Sequence, residues 1–315
     1  MNFEFLWGVG YFMKIRASVL ATLSYFDLFS YPLSEEEVFF WLPAKAGRQE
    51  VKKALEELRK AGKVSVKDGF YFFPPKNSVE LRKKRERYAE GKIKKAQKAA
   101  RLLGFLPGVL LVGLTGNLAM KAAKKEDDID FLIITRSGWL WRSRFLAIFL
   151  LELLGWRRRP NQKEARDKIC LNLFIEEGHL ALEKERHDLY TAHELLQMKP
   201  LIDKASVYQR FLQANSWAVS FLPQAWEKSK VKSQSANWRT KVKSKEGKEV
   251  AAASPTIVEK ILAGFQLKKI SAHQSREEIL PGQLFFHPQD RRGEMMRKYR
   301  KMMENKKSQS AKCRD

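Results

Sequence analysis

Residues 109–135 read VLLVGLTGNLAMKAAKKEDDIDFLIIT. Two short apolar runs, β-branched in part, bracket this stretch, and their length predicts interior strands rather than helices. Between them, Thr115-Gly116-Asn117 predicts a tight turn followed by a short helix or helical turn. The second strand then carries Asp128 and Asp130. Side chains two apart on a strand leave the same face, so the two carboxylates are presented together while Ile129 turns into apolar packing. Two acids that close repel unless a cation lies between them or one is protonated. Mg²⁺ suits the pair, since it takes oxygen ligands from one or two carboxylates and completes its shell with substrate phosphates. Gly116 permits close backbone approach, and a helix opening after Asn117 would aim free N–H groups at an anion.

A glycine turn, a helix and then Asp-x-Asp on the next strand resembles the nucleotidyltransferase domain of the DNA polymerase beta type, over roughly residues 103–175. The resemblance implies that Gly116 and Asn117, in the place of the family's Gly-Ser, hold a nucleoside triphosphate. It implies that Asp128 and Asp130 are the catalytic acids and bind Mg²⁺ or Mn²⁺. It also implies a third carboxylate on a later strand. The next strand, residues 168–175 (KICLNLFI), offers Asn172 as its inward polar residue, with Glu176 or Glu177 at its end as substitutes. Asparagine at 117 can still donate to phosphate.

The expected fold is α/β (α+β): a mixed-sheet nucleotidyltransferase core with an N-terminal winged helix-turn-helix and C-terminal helices. In residues 1–77, an apolar helix over 14–29 precedes the capping box Ser34-Glu-Glu-Glu37. A helix over 48–61 with Val51, Ala54, Leu55 and Leu58 on one face comes next, then two strands around Lys67-Asp68-Gly69. Three helices and a hairpin predict the winged helix, read either as a duplex binder or as a module docking on its own catalytic domain. Residues 78–103 predict one long basic connecting helix, residues 104–227 the catalytic domain with a helical extension, residues 228–253 a flexible Lys/Ser-rich linker, and residues 254–315 basic helices and a tail.

The net charge of +24 is concentrated. Residues 1–77 carry 11 basic and 9 acidic groups, and residues 102–227 carry 17 and 15. Residues 78–101 carry 10 and 3, and residues 228–315 carry 22 and 9. A nucleic acid partner would therefore meet the connecting helix and the tail, although a charge run on a helix is also what a solvated connector looks like. In the Trp156–Pro160 turn, WRRRP, the arginines read as phosphate grips or, more simply, as surface charge. Two cysteines, Cys170 and Cys313, make no disulfide framework and point to a reducing cytoplasm. The most hydrophobic run, residues 145–156 with Glu152 inside it, is too short to span a bilayer and predicts a buried helix, so no membrane partner is expected. Residues 191–194 read as a second capping box on a short helix closed by Pro200, and 207–221 as a further amphipathic helix. His187 and His193 share no helical face as metal ligands, so a capping or buried role is expected. Phe285-Phe286 reads as an anchor docking the tail on the body.

The function that follows is transfer of a nucleoside monophosphate from a triphosphate to an acceptor. Its rivals are a catalytically weak nucleotide- or RNA-binding regulator and a transcription factor with a ligand-sensing middle domain.

Overall fold

In the computed structural model, residues 11–159, 162, 164–235, 256–271, 277–286 and 291–312 are described. The chain opens with α1 (Tyr11–Asp27), β1 (Leu33–Ser34), α2 (Glu35–Phe40), α3 (Arg48–Lys60) and the hairpin β2 (Ser65–Lys67) and β3 (Phe70–Phe72). The expected capping box opens α2: the Ser34 hydroxyl accepts from Glu37 N–H, and Glu37 reaches back to Ser34 N–H. Asp68 and Gly69 both take positive φ, the backbone that a tight two-residue hairpin turn needs. β1 joins the hairpin to make a three-stranded antiparallel sheet, β1-β3-β2, a strand too short to leave a period in sequence.

α4 (Val79–Gly104) is the long connecting helix; Lys84, Arg87, Lys94, Lys98 and Arg101 are exposed on it, but its other face is buried. Its buried stripe runs Arg82, Arg85, Ala89, Lys92, Ala96, Ala99 and Leu103, one residue every three or four, so three of its cations face inward. Arg82 grips Glu37, Glu86 and the Pro32 carbonyl, Arg85 donates to the Phe29 carbonyl, and Lys92 donates to the Asp127 carbonyl and to Asp167. These charges bind the molecule to itself rather than a polyanion.

The chain continues through β4 (Val109–Leu114), α5 (Gly116–Ala119), β5 (Ile129–Thr135), α6 (Leu140–Leu153), β6 (Ile169–Glu176), α7 (Leu189–Gln197), β7 (Lys199–Asp203), α8 (Val207–Ala214), α9 (Pro223–Ser235), α10 (Ile257–Ser271), the hairpin β8 (Glu278–Leu280) and β9 (Gln283–Phe285), and α11 (Arg291–Lys312). A mixed six-stranded sheet, β7-β4-β5-β6-β9-β8, organises them, with only β5 and β6 parallel. The fold class is thus α/β. Alternation along β5 separates two cores. Ile129, Phe131 and Ile133 pack with α4 and α6, while Leu132 and Ile134 pack toward α7, α8 and the N-terminal helices. Asp130 has the parity of Leu132 and so faces the second layer.

Several expectations are corrected. Residues 199–203 form an edge strand, which tolerates Pro200 because the register shifts there. Asp188, not Thr191, caps α7 by accepting from Thr191 N–H. The 207–221 helix ends at Ala214 and continues as a 3-10 turn over Ser216–Ser220. The expected linker begins as helix, since α9 runs to Ser235, and its remainder lies outside the described residues, as do Cys313 and His287. Phe285 does anchor the tail, but as part of a strand paired with β6. α10 closes against the first turn of α6, where Glu259 accepts from the Trp141 and Arg142 N–H groups. α6 itself leaves Phe149 and Leu153 exposed, so it is buried on one face only. Among the described residues no helix is long and apolar enough to cross a membrane.

Candidate active site

The turn after β4 is built around a glycine for two reasons. Gly116 has φ +63°, and a Cβ placed on it would lie 2.7 Å from Asp130 Oδ2. Thr115 N–H donates to the Asp130 carbonyl at 3.0 Å, which draws the turn and the strand together. The glycine bend and the acid therefore touch. α5 is a single turn that starts at Gly116 itself, two residues before the expected helix. Asn117 is exposed and its amide donates to Asp127 at 3.4 Å; the same Asp127 oxygen accepts Lys124 N–H. Asn117 thus helps to close the 117–127 loop that delivers the aspartates.

Asp128 and Asp130 do share one face. A carboxylate oxygen of each and the Cys170 sulfur all lie within 4.8 Å of one another. Cys170 arrives there because β5 and β6 are parallel and Asp130 pairs directly with Cys170. It is the residue that sequence reasoning missed. A thiol reads as a small buried hydrophobe, and the register between two strands almost 40 residues apart is not written in either. Burial first, and then the charges of Asp130 and Asp128, hold the Cys170 thiol well above the usual thiol range.

The three residues expected at the third corner are elsewhere. On β6, Leu171 pairs with Phe131 and Leu173 with Leu132, so Asn172 is the extra residue of a bulge and has no partner on β5. Glu176 pairs with Thr135, five residues along the strand from Asp130, or roughly 17 Å. It accepts Gly138 N–H there, and burial raises its carboxyl above the ordinary range. Glu177 is paired with Arg210 at 2.9 Å.

The arginines of the 156–160 turn are structural and, in one case, part of the site. Arg157 and Arg159 both bind Glu152, while Arg158 forms an ion pair with Asp128. Burial opposes the Arg158 charge, but Asp128, Cys170 and Asp130 outweigh it and hold the guanidinium above its usual range. A cation of the chain itself is already paired with one of the two acids. His193 has no part in this chemistry. It is buried in a ring stack with Tyr25, 3.9 Å between centroids, and burial holds its pKa well below the ordinary value. His187 stacks on Trp217.

A cavity of about 630 Å³ opens between the sheet and α7, α11 and the β8–β9 hairpin. Its wall includes Thr115, Leu132 and Asn172, and Arg186, Arg292 and Arg297 also line it.

No family model matches this chain, and no curated protein does. One solved structure, described as the crystal structure of a toxin-antitoxin with AMP-PNP, is similar over 45% of this chain and 95% of that one, at 14% identity and a TM-score of 0.24. A score of that size does not establish a shared fold. Functional interpretation therefore rests on the residues themselves.

Proposed function

We propose that the chain is a nucleotidyltransferase that moves a nucleoside monophosphate from a triphosphate to an acceptor. The observation that carries this reading is the contact of Asp130 with Gly116 in a cluster that also holds Asp128.

Asp128 and Asp130 fit one hard divalent ion, Mg²⁺ or Mn²⁺. The Cys170 sulfur is a soft donor that suits neither, so the cluster fits one such ion rather than two. Bound there, the ion would neutralise phosphate oxygens and lower the pKa of the attacking hydroxyl. The chain's own residues do the rest. The Gly116 turn brings backbone close to the phosphates, and Arg158 supplies positive charge where a more acidic site would rely on a second ion.

The regulator reading is favoured by one specific observation, the thiol at the third corner, which leaves no carboxylate to take the acceptor's proton. The N-terminal unit, which we read as a winged helix, packs through α1 on α7 and α11 and so suits docking on its own body. The experiment that separates enzyme from binder is release of pyrophosphate from NTPs with Mg²⁺ or Mn²⁺ and a mixed pool of RNA and small hydroxyl acceptors. Turnover in wild type that is lost in Asp130→Asn supports the transferase. Metal-dependent nucleotide binding without turnover in any mixture supports the regulator.

A further inference from the structure

α10 is amphipathic in the reverse sense. The two residues it buries are polar, Glu259 and Gln266, seven apart and therefore on one face. Glu259 accepts the Trp141 and Arg142 N–H groups, while Gln266 accepts from the Arg144 guanidinium at 2.6 Å and donates to the Trp141 carbonyl at 2.8 Å. The apolar side chains turn outward: Ile257, Ile261 and Phe265, at four-residue spacing, and Val258 are all more than half exposed. α6, on which α10 packs, does the same with Phe145, Phe149 and Leu153, opposite its buried Ser143, Ala147 and Leu151. The loop that begins with Phe105, 87% exposed, abuts the first turn of α6, where the Ser143 hydroxyl donates to the Pro107 carbonyl. Single exposed apolar residues are ordinary, but rows at helical spacing on adjoining helices mark an interaction surface.

The exposed charge on these elements is cationic. Lys260, Lys268 and Lys269 are exposed on α10, Lys98 and Arg101 on the last turns of α4, and the one acid of α10 is the buried Glu259. Glu152 of α6 is held by Arg157 and Arg159. The segment that runs into α10, residues 228–253, carries 8 basic and 2 acidic groups. A second copy docked here about a two-fold axis would set like charges against each other, whereas an anionic surface would complement them.

We propose that α10, α6 and the Phe105 loop form a face that lies on an anionic lipid surface, with the apolar rows set among the headgroups and the lysines paired with their charge. Among the described residues no helix can cross a bilayer. The face has instead the composition of helices that lie in the headgroup plane, Phe, Ile and Leu on one side with lysines beside them.

The test is co-sedimentation of the full chain with vesicles of phosphatidylcholine alone and of equal parts phosphatidylcholine and phosphatidylglycerol, in low and high salt. Binding to the mixed vesicles is expected at low salt, about tenfold or more tighter than to pure phosphatidylcholine, since each lysine near an anionic surface strengthens binding roughly fivefold. High salt is expected to weaken it. Lys260→Ser with Lys268→Ser should lose about tenfold or more on the mixed vesicles. Ile261→Ser with Phe265→Ser should abolish sedimentation, and because both side chains are exposed the melting temperature should stay within about 2 °C of wild type. Phe149→Ser with Leu153→Ser, on α6, should also lose binding, and it decides the matter if the α10 variant does not fold. No sedimentation of wild type with either vesicle, equal sedimentation with both, or binding that survives both apolar variants overturns the proposal, the last by leaving the basic segments alone to hold the surface. A lipid-free dimer in light scattering that dissociates in the Ile261→Ser, Phe265→Ser protein also overturns it, by giving the face to a second copy.

Discussion

Replacing Gly116 by alanine tests the site at its closest contact. Two penalties act at once: the residue must hold φ +63°, and its new methyl must sit 2.7 Å from an Asp130 oxygen. The first is shared by Gly62, which has φ +67° after α3 and open space around it. Left-handed backbone costs a non-glycine residue about 1–2 kcal/mol, which, at roughly 2.1 cal/mol/K of unfolding entropy per residue, lowers the melting temperature by roughly 2–3 °C in a chain of 315 residues. Gly62→Ala should show that loss alone. Gly116→Ala should show at least as much, and in addition the methyl must displace the Asp130 carboxylate from its present position, because a contact below 3.0 Å forces something to move. The assay pairs thermal unfolding with calorimetric titration of Mn²⁺ in the presence of ATP. The expected result is a wild-type metal titration for Gly62→Ala and a lost one for Gly116→Ala. Should Gly116→Ala titrate like wild type, the bend and the acid do not act together and the site as described is wrong.

Other outcomes can be checked independently. Arg158→Met removes the guanidinium that competes for Asp128, so Mn²⁺ affinity without nucleotide should rise roughly tenfold by calorimetry; unchanged affinity would mean that the ion pair does not occupy the metal's place. His193 is held neutral by burial, with a folded pKa below the unfolded value of about 6.5. The unfolded chain therefore takes up the proton first, the stability from this group is present above about pH 6.5, and it is lost at up to about 1.4 kcal/mol per unit as pH falls below that value. Urea melts at pH 7.5 and 5.5 should show a smaller acid loss in His193→Phe than in wild type. Arg82→Met strands Glu37 and should cost about 3 kcal/mol in denaturant unfolding, whereas an unchanged midpoint would make the buried network incidental.

The strands of the site and its acids were legible because an interior strand and a period of two are local properties. Asp130 and Gly116 could be brought together on paper for the same reason. Cys170 could not, because its place depends on how β6 registers against β5, and the bulge at Asn172 breaks the alternation that would have suggested an answer. β7 was hidden by Pro200, which reads as a terminator, and the β8–β9 hairpin by its distance from the strands it joins. Charge misled in α4, where lysines and arginines count the same whether they face water or a carbonyl. Only the three- and four-residue spacing of Arg82, Arg85 and Lys92 carried a hint that they share a buried face.

That spacing has a mechanical consequence. The stretch from Arg82 to Lys92 is about 15 Å of uninterrupted helix, clasping the loop before β1 at one end and, through Lys92, the Asp127 carbonyl at the other. One unbroken helix thus sets the spacing between the loop that follows the first helix and the peptide next to Asp128.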